Sequence, residues 1–323
     1  MPDPGLGAGA GSTLTRWTHP SVLLVATDMN DLGRLMPFAF EQAAETGARV
    51  ILLHVLGSAA AMSTDGAGIP YYDSGGAVEG AVRVMEPWCE AARRRKIACY
   101  ALVREGNAPR QIAEAVEELN ADRILLGTRS RSKLSKLLLG SVAEQVLRSV
   151  NIPVFTVGPE AHLAAEDEGR ERVVLYATTL KETSRPSAAL ACHLASERGA
   201  TLLLLHVLPP IDEMERSGLP TGLDSAAMHE LRHLAAETGA GCCTAVEPLV
   251  VHGNPSIEVL AQSSERRASL IVLGATQRSA VENLTRDRTI YRVLAHARCP
   301  VLTLREAQTS VGQADAERLA TYG

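Results

Sequence analysis

Residues 127–141 read Gly-Thr-Arg-Ser-Arg-Ser-Lys-Leu-Ser-Lys-Leu-Leu-Leu-Gly-Ser, and these types suit one chemistry, the holding of an anion. They follow Arg123-Ile124-Leu125-Leu126, an apolar run of the kind that forms a buried parallel strand. They lead into residues 142–148, which carry a helical pattern. A strand, a Gly/Ser loop and a helix opening at Gly140-Ser141 present free backbone amides and the positive end of the helix dipole to whatever occupies the turn. Arg129, Arg131, Lys133 and Lys136 add cations to the loop. The simplest ligand is a phosphate. Neither the Walker pattern G-x4-G-K-[ST] nor the dinucleotide pattern G-x-G-x-x-G is present.

Other reactive residues carry less. His229-Glu230-Leu231-Arg232-His233 matches the H-E-x-x-H zinc motif. On a helical wheel, however, Ala227, Met228, Leu231, Leu234 and Ala235 make the apolar face, and the two histidines fall opposite it, toward solvent. No third ligand is recognisable, so a catalytic zinc is not expected. His54 and His206 occupy equivalent places at strand ends and read as packed histidines with no nucleophile to serve. Lys133-Leu134-Ser135-Lys136 is similar to the lysine loop of class I aminoacyl-tRNA synthetases, but the H-I-G-H partner is missing. No G-x-S-x-G or Ser/His/Asp arrangement is apparent.

The elements that must position the loop come from an internal duplication. Residues 21–28, SVLLVATD, return as residues 172–179, RVVLYATT, and residues 47–55 return as 199–207. Gly106-Asn107 recurs at Gly253-Asn254, residues 121–127 recur without a gap at 268–274, and residues 153–157 recur at 300–304. The charged stretch 159–170 is the expected linker, giving domains at 19–158 and 171–306 with tails at 1–18 and 307–323. The first tail is read as disordered. Short apolar runs alternate with amphipathic stretches in each half, a β-α-β-α-β-α-β-α-β order that predicts a doubly wound parallel sheet. Leu32, Leu35, Met36, Ala39 and Ala43 should bury one face of the first helix, and Asn107 and Asn254 should cap later ones. A ligand on such a sheet lies at the carboxyl ends of the strands where their order reverses. Asp28, Val55, Gly106 and Gly127 all fall at or near such ends.

The 323 residues suffice for two domains with their own cores. Aromatics are only 3% of the chain, so those cores must be Val/Leu/Ile/Ala-rich. A net charge of -5 argues against a nucleic-acid surface. The Arg93-Arg94-Arg95-Lys96 run reads as a solvated helix end. Six cysteines without C-x-x-C spacing are expected as buried free thiols in a reducing cytosol. No apolar stretch reaches the ~18 residues of a membrane span, and residues 1–12 lack a signal-peptide pattern, so a cytoplasmic location is expected. Residues 57–76 and 209–223 are long for loops in such a fold and could act as flaps.

The spacing Gly127, two residues, Ser130, nine residues, Gly140-Ser141 resembles the G-x-x-G-x9-G-[ST] loop of ATP-binding universal stress proteins, with serine standing where that family has its second glycine. Over residues 19–158 and 171–306 the chain resembles a tandem universal stress protein. The resemblance implies, in each half, an adenine nucleotide alpha hydrolase-like five-stranded sheet of order 3-2-1-4-5. It implies ATP in the crevice, with Asp28 meeting the ribose or a phosphate-bound Mg²⁺ and Val55 offering backbone hydrogen bonds to adenine. Gly127, Ser130, Gly140, Ser141 and Val142 would hold the phosphates, and Ala26, Gly106 and Arg129 complete the expected site. The family's last strand pairs domains, so residues 153–157 and 300–304 would join the halves into a pseudo-dimer, and two chains could associate further.

The halves differ at these positions. Thr179 answers Asp28, Gly274-Ala275-Thr276-Gln277 answers residues 127–130, and Asp287-Arg288 answers Gly140-Ser141. A carboxylate at a helix start would repel a phosphate ~4 Å away by on the order of 1–4 kcal/mol. The expectation is one nucleotide per chain, in the first half, within a stress-response signalling module. No catalytic base stands near the loop, so hydrolysis would be slow at most. The alternatives are an interaction protein of the same fold that binds no nucleotide, or an enzyme of the related hydrolase-like folds. The second lacks their S-G-G-x-D-S type loop.

Overall fold

The computed structural model describes residues 14–57, 62–64, 70–72, 74–128, 139–162, 171–216, 222–239, 244–276 and 283–306. After a short helix α1 (residues 14–18), the first half runs β1 (Val22–Thr27), α2 (Leu32–Thr46), β2 (Arg49–Leu56), β3 (Met62–Thr64), β4 (Pro70–Tyr72) and α3 (Ser74–Arg94). It continues with β5 (Cys99–Glu105), α4 (Ala108–Glu118), β6 (Arg123–Gly127), α5 (Ser141–Ser149) and β7 (Val154–Val157). The second half runs β8 (Val173–Ala177), α6 (Arg185–Glu197), β9 (Thr201–Leu208), α7 (Ile211–Arg216) and α8 (Leu223–Gly239). It closes with β10 (Val246–His252), α9 (Pro255–Glu265), β11 (Leu270–Thr276), α10 (Asn283–His296) and β12 (Val301–Glu306).

Ten of these strands form one sheet in the order β10-β9-β8-β11-β12-β7-β6-β1-β2-β5. Each half is therefore a parallel sheet of order 3-2-1-4-5, as expected. The two sheets meet where β7 and β12 pair antiparallel, with Phe155 opposite Leu302. Alternation along the strands decides which face is which. Leu23, Val25, Val50, Leu52 and Leu125 pack with α2 and α3 in a core that continues into α6 and β9 of the second half. Val22, Leu24, Ala26, Ile51 and Leu53 face the other way, onto α4 and α5. The five apolar residues expected on the first helix are all buried. Asn107 accepts a hydrogen bond from the Arg110 amide and Asn254 from that of Ser256, so both predicted caps form.

Several sequence expectations change. Residues 14–18 of the expected disordered tail are helical and bridge the halves. The Arg123 guanidinium donates to Trp17 O at 2.6 and 3.0 Å, and His193 Nε2 lies 2.9 Å from Thr18 O. The stretch 57–76 holds the β3–β4 hairpin, and 209–223 holds α7. Cys89, Cys99 and Cys299 are buried free thiols as expected, but Cys192 is disulfide-bonded. Cys242 and Cys243 lie outside the described residues. His229, Glu230 and His233 are exposed on the outer face of α8, where Glu237 lies 3.6 Å from His233. No helix among the described residues is long and apolar enough to cross a membrane.

Candidate functional site

Strand order reverses between β1 and β6, and a crevice of about 140 Å³ opens at their carboxyl ends. Its floor and walls come from Ala26, Thr27 and Asp28 at the end of β1, from Leu53, His54 and Val55 on β2, and from Leu126 and Gly127 on β6. Ala108 and Ile112 on α4, and Gly140, Val142 and Ala143 at the start of α5, close the far side. Of the expected residues, Ala26, Asp28, Val55, Gly127, Gly140 and Val142 are thus brought together. Ser141 lies between two lining residues without lining the crevice itself. Gly106, just past β5, does not line it either; it has φ 125° and its amide donates to Leu56 O at 2.8 Å. That φ suits glycine alone. Arg129 and Ser130 lie outside the described residues.

The chain is held tightly on both sides of the crevice. At the neck of the anion loop the Gly140 amide donates to Thr128 O at 2.8 Å, so strand exit and helix start are pinned together. Gly140 is the N-cap of α5 at φ -62° and ψ 141°, and the first-turn amides after it have no carbonyl partner within the helix. At β1, the Met29 amide donates to Thr27 Oγ1 at 2.9 Å and the Asn30 amide to Asp28 Oδ1 at 2.9 Å. Met29 sits at φ 75°, which turns the chain sharply toward α2. His54 Nδ1 lies 2.9 Å from Thr27 O, tying β2 to the same turn.

Sequence reasoning missed Asp31. It lines the crevice while 4% exposed, its Oδ1 accepts from Thr27 Oγ1 at 2.5 Å, and its other oxygen abuts Gly127. A Cβ on Gly127 would run into this carboxylate, so the glycine is required by close approach rather than by its φ. Burial pushes the Asp31 carboxyl up to about 6, against the lowering effect of the Thr27 hydroxyl. A signal existed: an Asp just ahead of the first amphipathic helix is a helix-start residue.

The second half keeps the frame and alters the loop. His206 Nδ1 meets Thr178 O at 2.9 Å, Leu180 takes φ 58°, and Gly253 takes φ 149°, repeating His54, Met29 and Gly106. Yet β11 runs on to Thr276, and α10 begins at Asn283. The stretch between strand and helix is thus 277–282 in the second half, against 128–140 in the first. The expectation of Asp287 at a helix start is corrected: it lies in the second turn of α10, where backbone amides are already bonded within the helix. Helix α5 and the residue before its cap lean on the second half, with Leu139 and Leu147 packed against the core of either half and Arg148 Nε donating to Tyr291 Oη on α10 at 3.0 Å.

Comparison with known proteins follows the same division. The model of the universal stress protein family matches residues 21–158 and again 171–305. Universal stress protein Rv2005c of Mycobacterium tuberculosis is 28% identical over 193 residues, covering 58% of this chain and 63% of that protein. The match thus spans just under two thirds of that relative's length. Universal stress protein Rv2623 of the same organism is 25% identical over 205 residues, with 62% and 68% covered. Among solved structures, a universal stress protein from Archaeoglobus fulgidus superposes with a TM-score of 0.66 at 21% identity, covering 89% of this chain and 99% of that one. A putative universal stress protein from Pseudomonas aeruginosa gives 0.61 at 18% identity, with 94% and 99% covered. These two speak to the fold alone. With two family matches that together take in most of its length, the chain belongs to the universal stress protein family.

Proposed function

We propose that the first half binds an adenine nucleotide, with ATP as the ligand, and that the protein serves the stress response as a regulatory module rather than as an efficient enzyme. One observation carries this reading: six residues chosen for nucleotide binding from sequence converge on a single crevice beside the start of α5. The base would lie in the apolar part, against Val55, Leu53 and Ile112, and the phosphates toward Gly127 and α5. The Asp28 carboxylate suits ribose hydroxyls or a divalent cation travelling with the phosphates. Domains at 19–158 and 171–306 would form an intrachain pseudo-dimer through β7 and β12, with the second lending core and interface. The length of β11 and α10 supports that asymmetry. A cytoplasmic site of action and further homodimerisation belong to the same reading.

Titration with ATP tests it. Asp28→Ala and Gly140→Asp should each weaken binding about tenfold or more, equivalent to 1.4 kcal/mol. Thr179→Ala should change nothing. Gly140 has a φ that any residue adopts, and Asp is a favoured N-cap, so Gly140→Asp keeps the fold while placing a negative charge where phosphate would sit. Equal losses from Thr179→Ala and Asp28→Ala would reject the asymmetry.

A further inference from the structure

Among the described residues that line the crevice, the charged or titratable side chains are Asp28, Asp31 and His54, and none is a lysine or arginine. The described part of the crevice thus offers two carboxyl groups to a bound nucleotide. Asp31 is the more consequential of the two. Asp28 is half-buried, with Oδ1 engaged by the Asn30 amide, and water can screen it. Asp31 is 4% exposed and fixed on one side by the Thr27 hydroxyl, with its free oxygen against Gly127, at the end of the strand that opens into the anion loop. A buried carboxylate is screened little by solvent, so its effect on a neighbouring anion is large.

We propose that Asp31 sets the charge preference of the crevice: when ionised it holds off the phosphate end of a nucleotide, while a nucleoside binds undiminished. This rests on the crevice being a nucleotide site, and it adds a specificity-determining residue that the loop motif does not contain. A polyphosphate then binds together with a proton on Asp31. The charged groups around Asp31 are consistent with that coupling. Asp28 raises its proton affinity and Arg34 on α2 lowers it, but desolvation exceeds both. His54 is engaged through Nδ1 with Thr27 O, and β6, α4 and α5 contribute no charged side chain to the lining. The basic residues 129, 131, 133 and 136 lie outside the described residues.

The test compares the wild-type chain with Asp31→Asn, using adenosine and ATP in EDTA as probes between pH 5.5 and 8. The amide has the carboxylate's shape and can still accept from Thr27. At pH 8 the variant should bind ATP at least about tenfold more tightly than wild type, and adenosine within about threefold. The ATP difference should narrow as pH falls through 6, because wild-type Asp31 then protonates. The titration of ATP's own phosphate is common to both proteins and cancels in the comparison. A ligand-independent readout accompanies it. The raised carboxyl favours the protonated folded state, so the stability it withholds is greatest above pH 6 and disappears toward pH 4. Ligand-free Asp31→Asn should accordingly melt higher than wild type at pH 7.5, with the gap shrinking on acidification. Equal ATP affinities in the two proteins at pH 8, or adenosine shifted as much as ATP, would overturn the role of Asp31 and leave the nucleotide site standing. Failure of both proteins to bind either probe would remove the site and this proposal together.

Discussion

Gly127→Ala should destabilise the protein by about 1–3 kcal/mol and cut ATP affinity at least tenfold, although it adds a single methyl group. The new carbon would crowd the Asp31 carboxylate, which can retreat only by giving up its bond from Thr27 Oγ1 just ahead of α2. Either β6 shifts outward or Asp31 loses its hydroxyl partner. Both outcomes spoil the floor of the crevice. The double variant Gly127→Ala with Asp31→Ala removes the collision and should regain most of the stability, giving a coupling well above the ~0.5 kcal/mol of independent sites. Denaturant midpoints of the four proteins measure it. Additive losses would mean that the contact between β6 and the turn after β1 is not what makes the glycine necessary.

Arg123→Ala should cost more, about 3–5 kcal/mol. The guanidinium is 1% exposed and donates to Trp17 O on α1 and, at 3.1 Å, to Gln42 Oε1 on α2. Burial pulls it down to about 10, still far enough up to remain charged at neutral pH. It lies near Glu45 and Glu197, one from each half, so its removal leaves this cluster of acids one cation poorer and two acceptors without their donor. The variant should also release α1, and Trp17 emission should shift to the red as it meets water. Trp88, on α3, is the only other tryptophan and gives a constant background. A stable variant with unchanged Trp17 emission would show that the helix is held by other contacts.

The contrast between these two residues marks what was legible in the chain. Apolar strands and helix faces follow from periodicity because burial rewards it directly, and so the sheet order and the caps at Asn107 and Asn254 could be read in advance. The crevice was legible at the strand ends, where Val55 and Gly127 fall, and in the loop spacing of Gly127 and Gly140 that resembles the family's. Buried charge runs against composition, and neither Arg123 nor Asp31 announces itself, since both look like ordinary surface residues until their partners are folded around them. The loop of the second half was hidden for another reason. Residues 268–274 repeat residues 121–127 without a gap, yet the chain beyond Gly274 continues as strand and resumes as helix by Asn283. Identity at one end of a loop does not fix how the backbone at the other end is bonded.

Function and architecture therefore separate in this protein. The two halves share a frame down to the histidine that ties β2 to β1 in one and β9 to β8 in the other. They share one continuous core as well. What distinguishes them is a longer stretch between strand and helix and the Asp28 carboxylate in the first, against Thr179, an extended strand and a lengthened helix in the second.

Counting bound adenine nucleotide per chain at saturating ATP, in wild type and in Gly140→Asp, tests this account most directly. It predicts one equivalent for wild type, and for the variant an approach to one equivalent only at about tenfold or more higher ATP. Two equivalents, or one that survives Gly140→Asp unchanged, would contradict it.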